Sequence, residues 1–169
     1  MSVAGCQAGE VRGQSAALPF PMAATICRAV QKRAHMMPEA ERLIRDFFGR
    51  VWAPPHNLDA IDELMTEDYR ITTAGATIEG RAAFKRWVAQ MQATIGEATN
   101  EHVEIFSDPA GRRVVSRWIT RGTNNGMFEL PADGRRIEFT GIAIWHVRDG
   151  RLAECWVERS AWELYRQLA

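Results

Sequence analysis

The sequence predicts an α+β fold in which N-terminal helices pack over a curved antiparallel sheet. Up to about residue 96 the apolar residues recur at helical spacing, whereas from residue 101 onward they alternate with period two. An Asp149-Gly150 hairpin signal joins the last two alternating segments. Helices followed by a run of strands are typical of an α+β domain, and no internal repeat is found.

Three helices are predicted first. Pro38 begins the first helix, since a proline at this position loses no hydrogen bond, and Pro54-Pro55 ends it. Asn57 caps a short second helix, and the third lies between Gly80 and Gly96. The predicted strands are 69–73, 102–107, 113–121, 136–147 and 152–160, and a final amphipathic helix covers 161–168.

Composition narrows the function classes. The chain has 169 residues, 46% of them hydrophobic and 25% charged, with zero formal net charge. The sequence therefore shows no general basic field for nucleic acid, and no apolar run long enough for a membrane span. Three scattered cysteines and four separated histidines predict neither a disulfide framework nor a metal site, and no phosphate-binding loop is found. We expect a reduced, cytoplasmic protein without a cofactor.

Residues 1–37 differ from the remainder. They are rich in Ala, Gly, Ser and Pro and carry four basic residues against one acidic residue. We expect a poorly ordered extension, followed by one domain over residues 38–169. A targeting peptide and a start at Met22, Met36 or Met37 remain alternative explanations.

The last strand carries the main functional signal. Side chains alternate across a strand, so Glu154, Trp156, Glu158 and Ser160 share one face. Two carboxylates beside an indole are typical of an apolar pocket that holds a few acids. A carboxylate in such a pocket can act as a base near neutral pH, and Glu158 is the candidate base. The alternative is a structural glutamate that pairs with a neighbouring polar group.

The hairpin extends this pocket wall to the preceding strand. If Asp149 and Gly150 form the loop, Trp145 lies opposite Glu154, Ala143 opposite Trp156, Gly141 opposite Glu158 and Phe139 near Ser160. A slip of one residue would invert the assignment. The opposite face would carry Ile142, Ile144, His146, Cys155 and Val157, an apolar surface on which we expect a homodimer.

Six segments carry a further signal through their order and spacing: Gly80–Lys85, Arg117–Gly126 (RWITRGTNNG), Pro131–Arg135, Gly141-Ile142, Arg148–Trp156 (RDGRLAECW) and Gln167-Leu168. Taken in this order, they resemble the SnoaL-like polyketide cyclases of the nuclear transport factor two-like superfamily. The resemblance covers roughly residues 38–169. It implies a cone-shaped α+β barrel around a deep apolar pocket, a dimer, and aldol ring closure of a polyketide ester without metal or cofactor.

The resemblance also implies two site positions. The acid/base aspartate of the family falls on Ser160, and the histidine that follows Gly-Thr in the family falls on Asn124. We therefore predict Glu158 and Ser160 at the chemistry. The predicted contacts to a small hydrophobic substrate are Tyr69, Trp118, Asn124, Phe139, Trp145, Glu154 and Trp156.

Two functions stay open. One is a cofactor-independent enzyme that acts on an apolar carbonyl or ester compound by aldol cyclisation or isomerisation. The other is a binding protein that holds a hydrophobic ligand without turnover. The carboxylate of Glu158 favours the enzyme, and the serine at position 160 favours the binding protein.

Overall fold

The structure is a computed structural model, and it describes residues 37–169. The predicted extension 1–37 therefore lies almost entirely outside the described residues. The helices are α1 (Glu39–Phe47), α2 (Ala60–Leu64), α3 (Arg81–Ala93) and α4 (Ala161–Leu168), with a π-helical turn at Phe48–Trp52 and a 3₁₀ turn at Met127–Glu129. The strands are β1 (Met65–Thr73), β2 (Ala76–Glu79), β3 (Ile95–Ser107), β4 (Arg113–Asn124), β5 (Arg136–Arg148) and β6 (Arg151–Arg159).

The six strands form one curved sheet in the order β2-β1-β6-β5-β4-β3. Strands β3 to β6 form an antiparallel meander, and the helices cover one face, which confirms the predicted α+β class. The sequence analysis missed β2 and the parallel pairing of β1 with β6, in which Ile71 lies opposite Cys155. Parallel partners are far apart in the chain, so local periodicity carries no signal for them.

The helices pack where their apolar stripes predict. In α1, Ile44 and Phe47 are buried, and Val51 continues the stripe into the π-helical turn. In α3, Phe84 and Val88 are buried. The inward side chains of the sheet meet these residues and form the main core.

Two absences hold for residues 37–169. No helix there has both the length and the apolar character needed to cross a membrane. The same residues contain no group of three or more His, Cys, Asp or Glu side chains placed to hold a metal ion.

Candidate active site

A bulge in β6 decides which side chains reach the interior. Asp149 and Gly150 form the predicted two-residue turn, with φ of 51° and 71°, and Arg148 pairs with Arg151 as expected. The register then shifts between His146 and Val147, because Ala153 is an extra residue in β6. The predicted register beyond this point is therefore wrong by one residue.

This shift reverses the face assignment of β6. Trp145 lies opposite Cys155, not Glu154, and Gly141 lies opposite Arg159, not Glu158. Cys155 and Val157 are buried, whereas Trp156 and Glu158 are exposed. The concave wall of β6 consequently consists of Cys155, Val157 and Arg159.

A cavity of about 590 Å³ lies between the concave face of the sheet and the helices. Its walls are mainly aromatic and aliphatic, with Trp52, Trp87, Trp118, Phe139 and Trp145 among the lining residues. The polar residues of the lining include His56, Thr73, Asn100, Thr120, Cys155 and Arg159. An apolar cavity with a few polar groups is typical of a site for a small molecule.

Three of the predicted contacts, Trp118, Phe139 and Trp145, line the cavity. Trp118 lies so close over Gly141 that a Cβ at position 141 would be 2.3 Å from its Cζ2 atom. Trp145 donates its indole N–H to the buried hydroxyl of Ser116 at 2.9 Å. The concave face of β4 and β5 is therefore arranged as the alternation predicted.

Glu154 and Trp156 do not line the cavity. Glu154 forms a salt bridge with Arg70, and the His146 Nδ1 atom lies 4.0 Å from its other carboxylate oxygen. Trp156 is 38% exposed, with the Arg113 guanidinium 5.9 Å from its ring. Glu158 belongs to the lining residues, but its side chain is exposed, as that of Trp156 is. The reasoning that buried Glu158 among tryptophans is thus wrong.

Ser160 and Asn124 have local structural partners. The Ser160 hydroxyl oxygen accepts the Thr140 backbone N–H at 2.9 Å, and Ser160 is outside the cavity lining. Asn124 is buried and lies outside the lining as well. Its amide group binds the loop that follows β4, donating to the Pro131 carbonyl and the Asp133 carboxylate and accepting the backbone N–H groups of Gly126 and Met127.

Tyr69 is fully buried and packs against Phe84, with 4.8 Å between ring centroids. Its hydroxyl lies beside the Cys155 thiol without a hydrogen bond of ordinary geometry. Burial raises the pKa of Tyr69 well above its usual value and also raises the pKa of the Cys155 thiol. Both groups therefore stay protonated at neutral pH.

Arg159 is the cation in the cavity wall. Its Nη1 atom donates to the Thr73 hydroxyl at 2.7 Å, and its guanidinium lies over the Trp87 ring at 5.5 Å. Burial lowers the pKa of Arg159 below its usual value. Sequence analysis missed Arg159 because the one-residue bulge moves the concave face of β6 from Glu158 to Arg159. The sequence does contain one indication of a bulge, the consecutive apolar pair Leu152-Ala153, which is unusual in an alternating strand.

His56 was also missed, since a single histidine in a loop carries no pattern. It follows the π-helical turn and has a left-handed backbone, with φ of 62°. The His56 N–H donates to the Ala53 carbonyl at 2.9 Å, and the next N–H, of Asn57, donates to the Arg50 carbonyl at 2.8 Å. Its Nδ1 atom is enclosed and has no hydrogen-bond partner among the described residues. Strained residues and π-helical turns are frequent at functional sites.

A match to a sequence family identifies the domain. The sequence pattern of the SnoaL-like domain family matches residues 44–155, most of the described chain. The chain belongs to the SnoaL-like domain family. This confirms the resemblance found in the sequence. No curated protein matches the chain.

Solved structures share the fold at low sequence identity. A candidate SnoaL-like polyketide cyclase from Jannaschia sp. CCS1 is 16% identical with a TM-score of 0.72, over 77% of this chain and 91% of that one. A candidate polyketide cyclase from Acidithiobacillus ferrooxidans is 22% identical with a TM-score of 0.71, over 79% and 96%. A third, from Xanthomonas campestris pv. campestris, is 23% identical with a TM-score of 0.67, over 78% and 97%. At this identity the likeness establishes the fold alone.

Proposed function

We propose that this chain is a cofactor-independent enzyme that performs acid–base chemistry on a small, largely apolar carbonyl or ester compound. Aldol ring closure and isomerisation both begin with removal of a proton next to a carbonyl group. The observation that carries the proposal is the aromatic cavity of about 590 Å³ with His56 among its lining residues. Membership of the SnoaL-like domain family supports the same reaction class.

His56 is the proposed proton acceptor, and elimination among the lining groups supports it. The Cys155 thiol stays protonated because burial raises its pKa, and the Glu158 side chain, although it belongs to the lining, is exposed to solvent. The Ser160 hydroxyl is outside the lining. Imidazole is the side chain most often used as a general base near neutral pH.

The proposed step moves one proton. His56 Nε2 takes the proton from the carbon next to the substrate carbonyl, and the bonding electrons move onto the carbonyl oxygen as an enolate. In ring closure, the enolate carbon then attacks a second carbonyl of the same molecule, and the resulting alkoxide takes up a proton. In isomerisation, the proton returns at a different carbon.

The test uses naphthoylacetone, an aromatic β-diketone that can be followed by its ultraviolet absorbance as keto and enol forms interconvert. We expect the protein to accelerate this interconversion above buffer. His56→Ala should reduce the rate about 100-fold or more, and added imidazole should restore part of it. His146→Gln is the matched control, because His146 is on the convex face, and its rate should equal that of the unmodified chain.

A hydrophobic-ligand-binding protein is the alternative. It is favoured by the local hydrogen bonding of Ser160, which stands where the family has its aspartate. Saturable naphthoylacetone binding without any acceleration of interconversion would support this alternative and reject the enzyme.

A further inference from the structure

The Arg159 guanidinium forms no salt bridge with residues 37–169. Within these residues its one side-chain hydrogen bond goes to the Thr73 hydroxyl. Its chain neighbour Glu158 is among the lining residues and its charge acts on Arg159 through space, but Glu158 forms no salt bridge with the guanidinium. The guanidinium is therefore not in direct contact with a carboxylate of residues 37–169.

Several more exposed cations among residues 37–169 form salt bridges. Arg121 forms salt bridges with Glu101 and Glu138, and Lys85 does so with Asp59 and Asp62. Removal of a charge from water is costly unless an opposite charge compensates for it. Arg159 is largely buried in the cavity wall and yet has no salt-bridge partner among residues 37–169.

The fold also fixes this cation in place. Thr73, at the end of β1, holds the Nη1 atom at 2.7 Å, and the Trp87 ring supports the guanidinium from one side. Trp87 is itself packed against Phe84, with 5.8 Å between ring centroids, and against Trp52, with 6.5 Å. A guanidinium has five N–H donors, and the described part of the chain uses one of those on Arg159, so the others can bind a ligand.

We propose that the ligand supplies the missing anion, and that the cavity takes an apolar organic acid whose carboxylate pairs with Arg159. This inference rests on the proposed function, because it names the substrate class of the same cavity. A guanidinium matches a carboxylate with two parallel hydrogen bonds. A single cation in an otherwise aromatic cavity suits a monoanion with an apolar body, and it would leave a phosphate dianion half-neutralised.

The test compares naphthoate with naphthamide, which has nearly the same shape without the charge, by isothermal titration calorimetry. We expect the unmodified protein to bind naphthoate about tenfold to 100-fold more tightly than naphthamide. Arg159→Met should reduce this ratio to about one, since the methionine keeps the apolar stem. Arg159→Lys keeps the charge but loses the planar fork, so it should give an intermediate ratio.

Arg136→Met is the matched control, because Arg136 is exposed at the start of β5, and its naphthoate to naphthamide ratio should equal that of the unmodified protein. Equal affinity for naphthoate and naphthamide in the unmodified protein would overturn the proposal. This comparison requires no variant, so it holds even if the Arg159 variants do not fold. An unchanged preference for naphthoate in a folded Arg159→Met protein would overturn it as well.

The outcomes separate this inference from the proposed function. If the protein accelerates naphthoylacetone interconversion but does not prefer naphthoate, the proposed enzymatic function is supported and the proposed organic-acid ligand is rejected. If the protein prefers naphthoate through Arg159 but does not accelerate interconversion, the carboxylate-binding site is supported and the enzymatic function is rejected.

Discussion

The contact between Gly141 and Trp118 provides a quantitative test of the concave wall. A Cβ added at Gly141 would lie 2.3 Å from Trp118 Cζ2, whereas an ordinary contact begins at 3.4 Å. The indole would have to move by about 1 Å. It is 4% exposed and packs against the Phe48 ring, with centroids 5.3 Å apart, so it cannot move freely.

The expected cost of Gly141→Ala follows from two opposing effects. Overpacking of this severity costs about 2–3 kcal/mol, and removal of glycine flexibility from a strand returns roughly 0.5–1 kcal/mol. The backbone at Gly141 is not left-handed, so alanine adds no backbone strain. We expect a net loss of about 1–2.5 kcal/mol in the free energy of unfolding, measured by urea denaturation with circular dichroism.

A double-mutant cycle isolates the contact. The Trp118 atoms that a Cβ would meet, Cζ2, Cε2 and Cη2, all belong to the six-membered ring of the indole. Trp118→Phe removes the outer atoms of this ring, Cζ2 and Cη2, so Gly141→Ala should cost clearly less in that background. If Gly141→Ala costs the same in both backgrounds, or costs nothing in the unmodified chain, the packing of this wall has been misjudged.

Three further predictions concern other parts of the domain. Burial, with a smaller effect of the Arg45 charge, lowers the pKa of His102 below 6.5. The unfolded chain therefore takes up this proton first as pH falls, so stability is complete above about pH 6.5 and declines below it. Urea unfolding at about pH 7.5 and about pH 5.5 should show this loss, and His102→Phe should reduce it. Asn124→Ala leaves several loop groups without partners and should cost about 2–4 kcal/mol in the same assay; a cost below about 1 kcal/mol would contradict its loop role. The homodimer stays a prediction, now through exposed Ile142, Ile144 and Trp156, so Ile144→Lys should give monomers in sedimentation velocity, and a monomeric unmodified protein would reject it.

The sequence predicted the fold class and the concave face of β5, because both follow from local periodicity. Phe139, Gly141, Ala143 and Trp145 lie on the side that alternation gives them. The cross-strand partners predicted for them in β6 were wrong, because the one extra residue at Ala153 exchanges the two faces of β6 from that point on.

Interior positions that depend on tertiary packing could not be predicted in the same way. The burial of Arg159 requires the bulge and the parallel pairing with β1, which brings Thr73 beside Val157. The position of His56 depends on how a loop packs after the π-helical turn. Neither feature has a periodic signal in the sequence.

The central claim is that His56 is the proton acceptor and that Glu158, whose side chain is exposed, is not. The most direct measurement compares His56→Gln with Glu158→Gln in the rate of naphthoylacetone interconversion, after equal unfolding midpoints have shown that both variants are folded. We predict a loss of about 100-fold or more for His56→Gln and a rate within about twofold of the unmodified protein for Glu158→Gln. A loss confined to Glu158→Gln would contradict the account and restore the base that the sequence alone predicted.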